Sequence, residues 1–294
     1  MNRPKTSFIL YSRNDGYKEK ERFLIHIKTI LETFDEVIYV DWNSENSSLL
    51  YEIIDELPKT GKIKHFIISP YYHNLLTNND PDVQSCNNVL SVNLALRRSE
   101  ADWIVIGNID IIPPTKEEWE CFLSKADLNT FYTFSRRDIN YDDVLENKNN
   151  LDNYRNYLNK TTEPRFFYAK VTPNDNYSLI NCCGDFQLAH KSIWDTIKGL
   201  EENMLYSCFV DTNVQKKAIL NNFNLKAIFD VPVYHMSHKT NRVPQDGDLN
   251  TLHDKENTSP PKYNDPWKWI EYFTESENDD NWGLAETEIE YEII

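Results

Sequence analysis

Trp103-Ile104-Val105-Ile106-Gly107-Asn108-Ile109-Asp110-Ile111-Ile112, closed by Pro113-Pro114, is the stretch whose reading decides the fold. A continuous apolar run bounded by turn residues reads as a strand buried on both faces, as in a parallel sheet flanked by helices. Asn108 and Asp110 interrupt the run at its carboxyl end, where open α/β sheets bind ligands. Two apart on an extended backbone, they point the same way. A carboxylate and an amide oxygen side by side make half a site for a hard divalent cation carrying phosphates. The competing reading is an Asn/Asp turn that closes a buried strand and bonds only to local backbone.

Working outward, the segments before this strand alternate. Ser7 to Tyr11 reads as a strand with Ser12-Arg13-Asn14-Asp15-Gly16 as its exit turn. Glu21 to Phe34 has a helical apolar period through Phe23, Leu24, Ile27, Ile30, Leu31 and Phe34. Val37 to Val40 is a second strand, with Asp41-Trp42-Asn43-Ser44 at its end, and Leu49 to Leu57 a second helix stopped by Pro58 and Gly61. Ile63 to Ile68 is a third strand and Asn88 to Arg98 a third helix. This alternation is the signature of a doubly wound, mostly parallel α/β sheet. The right-handed crossover then gathers Asn14, Asp15, Asp41, Trp42, Asn108 and Asp110 at one crevice. No G-x-G-x-x-G and no G-x-x-x-x-G-K-S/T occurs, so phosphates bound there are held by a metal or by arginines rather than a glycine cradle. Arg97 and Arg98, at a helix end, are candidates for the diphosphate or else a surface basic pair.

The chain has 294 residues and a formal net charge of −16, which speaks against a nucleic-acid binder needing a basic face and against docking on anionic lipid. No apolar run approaches the ~20 residues that span a bilayer. Met1 to Thr6 runs straight into a strand with no signal-peptide pattern, so a cytoplasmic protein is expected. Five cysteines without CxxC spacing read as buried reduced thiols.

The second half is less regular. Thr130 to Arg136 reads as a strand that Arg137-Asp138-Ile139 leaves, and Asn140 to Thr162 as a polar excursion or lid, helical around Leu151 to Leu158. Asn181-Cys182-Cys183-Gly184-Asp185-Phe186-Gln187 follows a short apolar run, and Asp211 opens a helix to Leu220. Leu225 to Phe229 and Val233 to His238 are two further strands, and residues 241–261 a polar loop. The tail keeps Trp267, Trp269, Tyr272, Phe273 and Trp282, enough aromatics to dock on the body.

In order, these signals resemble the GT-A glycosyltransferases, and particularly a group of poorly characterised microbial members. Ser12-Arg13-Asn14-Asp15-Gly16 is similar to the opening nucleotide-contacting turn. Asn108-Ile109-Asp110-Ile111 is similar to the metal-binding Asp-x-Asp motif, with Asn108 replacing the usual first carboxylate. Gly184-Asp185-Phe186 with Trp194 and Gly199 resembles the donor- and acceptor-sugar segment, and Tyr234-His235-Met236-Ser237-His238 the late histidine motif. Arg136-Arg137-Asp138 and Asp211-Thr212-Asn213 are lesser echoes. The resemblance spans roughly residues 7 to 240. It implies a GT-A domain over residues 1–250, with 1–112 the nucleotide-binding half and 113–250 the acceptor and donor-sugar half. Residues 251–294 are then a tail packed on the same domain.

The resemblance implies a hexosyltransferase-like enzyme that moves a sugar from a UDP or GDP sugar to a glycan or other hydroxyl, in surface-polysaccharide or glycoprotein glycan synthesis. A divalent ion, Mn²⁺ or Mg²⁺, would bridge the diphosphate as a Lewis acid. Asp110 is its expected ligand, joined by one of His235 and His238, which otherwise are hydrogen-bonded strand-end residues. Ser12, Arg13, Asn14, Asp15, Asn108 and Arg97 are expected at the nucleotide, with Asp41 receiving hydroxyl or imide protons. Trp42 supplies a stacking face or else packs in the core. Asp211 resembles the catalytic base of inverting members, or is a helix cap, and Asp185 orients the donor sugar. Two rival classes are a nucleotidyltransferase, which would need a glycine-rich first loop, and a non-catalytic nucleotide- or carbohydrate-binding protein with a degenerate metal site.

Overall fold

The computed structural model describes residues 3–14, 20–80, 83, 85–162, 164, 184–205, 210–237 and 278–294. In the first half β1 (Thr6–Ser12), β2 (Glu36–Trp42), β3 (Ile63–Ile68) and β4 (Trp103–Gly107) lie parallel in the order β4-β1-β2-β3. Strict alternation buries both faces. Phe8, Leu10, Val37, Tyr39, Trp103 and Val105 join one core layer, and Ile9, Ile38, Val40, Ile104 and Ile106 the other. The first layer is covered by α1 (Lys20–Thr33) through Phe23 and Ile27, and by α2 (Leu49–Ile53) through Leu50. A short α3 (Pro70–Leu76) follows β3, and α4 (Asn88–Arg98) covers the second layer through Val89, Val92 and Leu96. Trp119 of α5 (Lys116–Leu123) also packs in the first layer. The chain moves outward from β1 to β3 and then returns across β1 to β4. The strand order therefore reverses between β1 and β4, and the carboxyl ends of those two strands frame a topological switch point.

The second half widens the sheet with β5 (Ile111–Ile112), β6 (Thr130–Asn140), β7 (Phe186–His190) and β8 (Asn224–Ser237), giving β5-β8-β6-β7-β4 on that side. β1 to β4, β6 and β8 run one way, while β5 and β7 run antiparallel to their neighbours, so the sheet is mixed but mostly parallel. Two expectations need correction here. The stretch from Trp103 to Ile112 is not one strand: β4 stops at Gly107, Asn108 to Asp110 form a turn, and Ile111–Ile112 pairs with β8 at the far edge. The backbone amide of Met236 donates to the Asp110 carbonyl at 2.9 Å and holds the turn there. Conversely, Leu225 to Phe229 and Val233 to Ser237 belong to a single strand. Pro232 inside it has no N–H for the ladder, and the register with β6 slips between Phe134 and Arg136 to accommodate it.

The polar excursion folds as α6 (Tyr141–Asn147) and α7 (Leu151–Thr161), whose Val144, Tyr154 and Leu158 pack on Ile139, Tyr234 and Met236. The remaining helices are α8 (Lys191–Thr196) and α9 (Val210–Leu220), both on the α4 face. At the end of the chain Trp282 is buried in that layer and β9 (Tyr291–Ile293) pairs antiparallel with β3. The other tail aromatics, Trp267, Trp269, Tyr272 and Phe273, lie outside the described residues. Cys86 is buried, but Cys121 is exposed, against the expectation of buried thiols; Cys182, Cys183 and Cys208 lie outside the described residues. No described helix is long and apolar enough to cross a membrane.

Candidate active site

Gly184 and Gly107 let three elements close together where β4 ends and β7 begins. A Cβ on Gly184 would stand 2.5 Å from the Asp211 Cβ at the start of α9, and one on Gly107 would stand 2.5 Å from the Phe8 ring. At this junction, over the switch point, lies a cavity of about 350 Å³ lined by Tyr11, Asn108, Arg136, Asp185, Gln187 and Asp211 among others.

From the cavity a row of polar side chains runs along the strand ends in sheet order, β4-β7-β6-β8-β5. Asn108 Nδ2, just after β4, donates to Asp185 Oδ1 at 2.7 Å, and Arg136 Nη1 of β6 donates to Asp185 Oδ2. Arg136 Nε lies 3.2 Å from Asp138 Oδ1. That same oxygen is 2.8 Å from His235 Nδ1 of β8, and His235 Nε2 is 3.4 Å from Asp110 Oδ2, just before β5. Asn108 and Asp110 therefore do not act as one pair. The turn between β4 and β5 sends the amide to the cavity and the carboxylate to His235.

Burial pushes the Asp211 carboxyl up to about 6; the Thr212 amide, 2.9 Å from Oδ1, opposes this, and the charge of Asp185 adds to it. The Asp41 carboxyl is likewise pushed up to about 6 by burial, opposed by the Ser44 hydroxyl. On the β1 side, the expected nucleotide residues hold the loop after β2. Arg13 Nε donates to the Asn43 carbonyl at 2.8 Å. Asn14 Nδ2 donates to the Ser47 carbonyl and to Glu52 Oε1, both at 2.7 Å. Ser12 Oγ is 2.6 Å from the Tyr39 hydroxyl.

Two expected nucleotide contacts fail on geometry. Trp42 is 0% exposed, packed towards α4 with Nε1 donating to His73 Nδ1 at 2.9 Å, so it offers no stacking face. Arg97 sits near the carboxyl end of α4, the crossover helix that returns to the amino edge of the sheet, and its guanidinium lies over the Trp282 ring at 5.0 Å. Asp15 and His238 lie outside the described residues. Sequence reading gave Arg136 and Asp138 no role. Their signal was three charged residues, Arg136-Arg137-Asp138, at the end of an apolar strand.

Asp110 and His235 can be tested as cation ligands. Two ligands about 2.1 Å from one ion, at octahedral to tetrahedral angles, stand about 3.0–3.4 Å apart. The Asp110–His235 separation of 3.4 Å falls at the edge of that range. Among the described residues no group of three or more potential ligands converges, so phosphate oxygens or water would complete the shell.

No family model and no curated protein matches the chain. Solved structures do match in fold. Mannosyltransferase PcManGT from Pyrobaculum calidifontis, solved with GDP-Man and Mn²⁺, is similar over 93% of this chain and 70% of its own, with a TM-score of 0.53 and 14% identity. A 1–349 fragment of S. aureus TarS is similar over 79% and 60%, with a TM-score of 0.50 and 14% identity. GalNAc-T7, solved with UDP, GalNAc and Mn²⁺, is similar over 81% and 44%, with a TM-score of 0.53 and 11% identity. The fold is thus that of GT-A glycosyltransferases, matched at low sequence identity.

Proposed function

We propose that this chain is a metal-dependent glycosyltransferase that moves a sugar from a UDP or GDP sugar to a hydroxyl of a glycan acceptor. The observation that carries the reading is the polar row itself, which joins the Asp110–His235 pair to a cavity holding Asp185 and Asp211 at the switch point. Charge supports it. Arg136 is the one cationic side chain lining the cavity among the described residues, and it is already shared between Asp185 and Asp138. With no glycine cradle and a net charge of −16, the chain meets a diphosphate poorly by itself. Asp110 and His235 would hold Mn²⁺ or Mg²⁺, which supplies Lewis-acid stabilisation of the diphosphate leaving group when bound.

The chain's own residues then divide the remaining work. Asp211, half-buried and poised near neutrality, accepts the proton of the acceptor hydroxyl as its oxygen attacks the anomeric carbon with inversion. Asp185 is held by Asn108 and Arg136 and keeps lone pairs for donor-sugar hydroxyls. Asp41, at the end of β2, is 1% exposed and accepts from the Ser44 hydroxyl, so it would meet the ribose or base only if the loop after β2 shifts. The neighbours solved with GDP-Man or with UDP and GalNAc support a nucleotide-sugar donor through shared fold alone.

The test is a screen of UDP and GDP sugars for hydrolysis with and without Mn²⁺. Metal-dependent release of UDP or GDP from at least one sugar, lost in Asp110→Ala, is the expected result. Release that ignores both the metal and the substitution would overturn it.

A further inference from the structure

Asp138 lies on the far side of the His235 imidazole from Asp110. Asp138 and His235 are register partners on the parallel neighbours β6 and β8, so the backbone itself sets the two side chains beside one another. Asp138 Oδ1 is 2.8 Å from Nδ1, and Nε2 faces Asp110 Oδ2 at 3.4 Å. A neutral imidazole carries one N–H, and when one ring nitrogen donates it the other presents a lone pair. We propose that Asp138 is a positioning residue for the cation site: by accepting the Nδ1–H of His235 it fixes the tautomer whose Nε2 lone pair faces the metal. The proposal rests on the reading of Asp110 and His235 as ligands.

The row gives Asp138 a second hold. Arg136 Nε, 3.2 Å from the same carboxylate oxygen, also belongs to the guanidinium that binds Asp185, so the imidazole is oriented from an anchor inside the cavity. Both Asp138 and His235 are only slightly exposed, which keeps water from substituting for the carboxylate. Partners of this kind behind a metal-bound histidine typically contribute roughly 10–100-fold in metal affinity.

The measurement is Mn²⁺ affinity with GDP or UDP present but no sugar donor and no turnover, read from the EPR signal of free Mn²⁺ against a protein-free nucleotide blank, with pulsed EPR reporting ¹⁴N coupling of the imidazole to the bound ion. Asp138→Asn keeps size and hydrogen bonding but can turn its amide N–H towards Nδ1, which favours the tautomer that cannot ligate. It should keep the parent's metal-free Tm, weaken Mn²⁺ by roughly 10–100-fold and lose the ¹⁴N coupling. If Asp138 only braces Arg136, Asp138→Asn would bind Mn²⁺ like the parent while His235→Ala does not, and that overturns the proposal alone. A parent chain that binds no Mn²⁺, or a His235→Ala variant that binds it unchanged, overturns the metal reading and the proposal with it.

Discussion

Asp211 shows what burial does to one carboxylate. Its carboxyl is pushed up to about 6, so at neutral pH it is ionised yet basic enough to take a proton. Asp211→Asn keeps size and an oxygen for the Thr212 amide but cannot accept the acceptor's proton. Turnover should fall roughly 10²–10⁴-fold with donor binding unchanged. In the parent, kcat/KM should drop about tenfold per pH unit below about 6 and be flat above it, since only the carboxylate works. The linkage sign runs opposite: a carboxyl raised in the folded state stabilises the fold below its unfolded pKa, and that contribution is lost as pH rises through about 6. Asp211→Asn should therefore raise Tm at pH 7–8 while lowering turnover. Near-parental kcat, or a product that retains the donor's anomeric configuration, would remove Asp211 from the role. At this scale the sequence was half legible. It marked Asp110, Asp185, Asp211 and His235 as candidates, but the link from Asp138 to His235 comes from a parallel pairing between strands far apart in the chain. Of the two readings open for Trp42 the structure takes the second, because it shares a strand face with Ile38 and Val40 and packs in their core layer.

Among the elements, the approach of β4, β7 and α9 depends on glycine being small rather than on an unusual backbone angle. A methyl group at Gly184 would meet the Asp211 Cβ at 2.5 Å, a contact that only movement of α9 or of the 184–185 turn can relieve. Gly184→Ala should cost about 1–3 kcal/mol of stability, as overpacking does, and lower turnover at least tenfold by displacing Asp211. Parental kinetics in a folded Gly184→Ala protein would show that Asp211 need not sit there. Apart from the short α3, which the reading lacked, the strands and helices up to β4 were legible because each carries a clear period and the parallel sheet buries both of its faces. The capping box that starts α5 is also written in the chain, as Thr115 with Glu118 three residues on. The break between β4 and β5 was not legible. Ile111–Ile112 is as apolar as β4, and only its partner, β8, says where it goes.

For the whole molecule, strand order gathers the carboxylates of the candidate site along one edge of the sheet. The sheet reverses between β1 and β4, and the polar row extends from that point to β5 along the strand ends of an acidic chain. Such a site should bind a diphosphate weakly without a divalent cation, and the cation weakly without the diphosphate, because each neutralises charge for the other. Tm is the global readout. Mn²⁺ and GDP or UDP added together, at about 100 times the dissociation constant of the ternary complex, should stabilise the fold by about 2.7 kcal/mol. For a domain of this size that is a rise of about 5 °C, well above the sum of the shifts from Mn²⁺ alone and nucleotide alone. Asp110→Ala should retain the parent's unliganded Tm to within a degree or two, since the carboxylate lies in a turn rather than in a core layer, and should lose the combined shift. An Asp110→Ala variant that shows the parent's full combined shift would move the metal to other residues, and a parent with merely additive shifts would show that metal and nucleotide do not share a site.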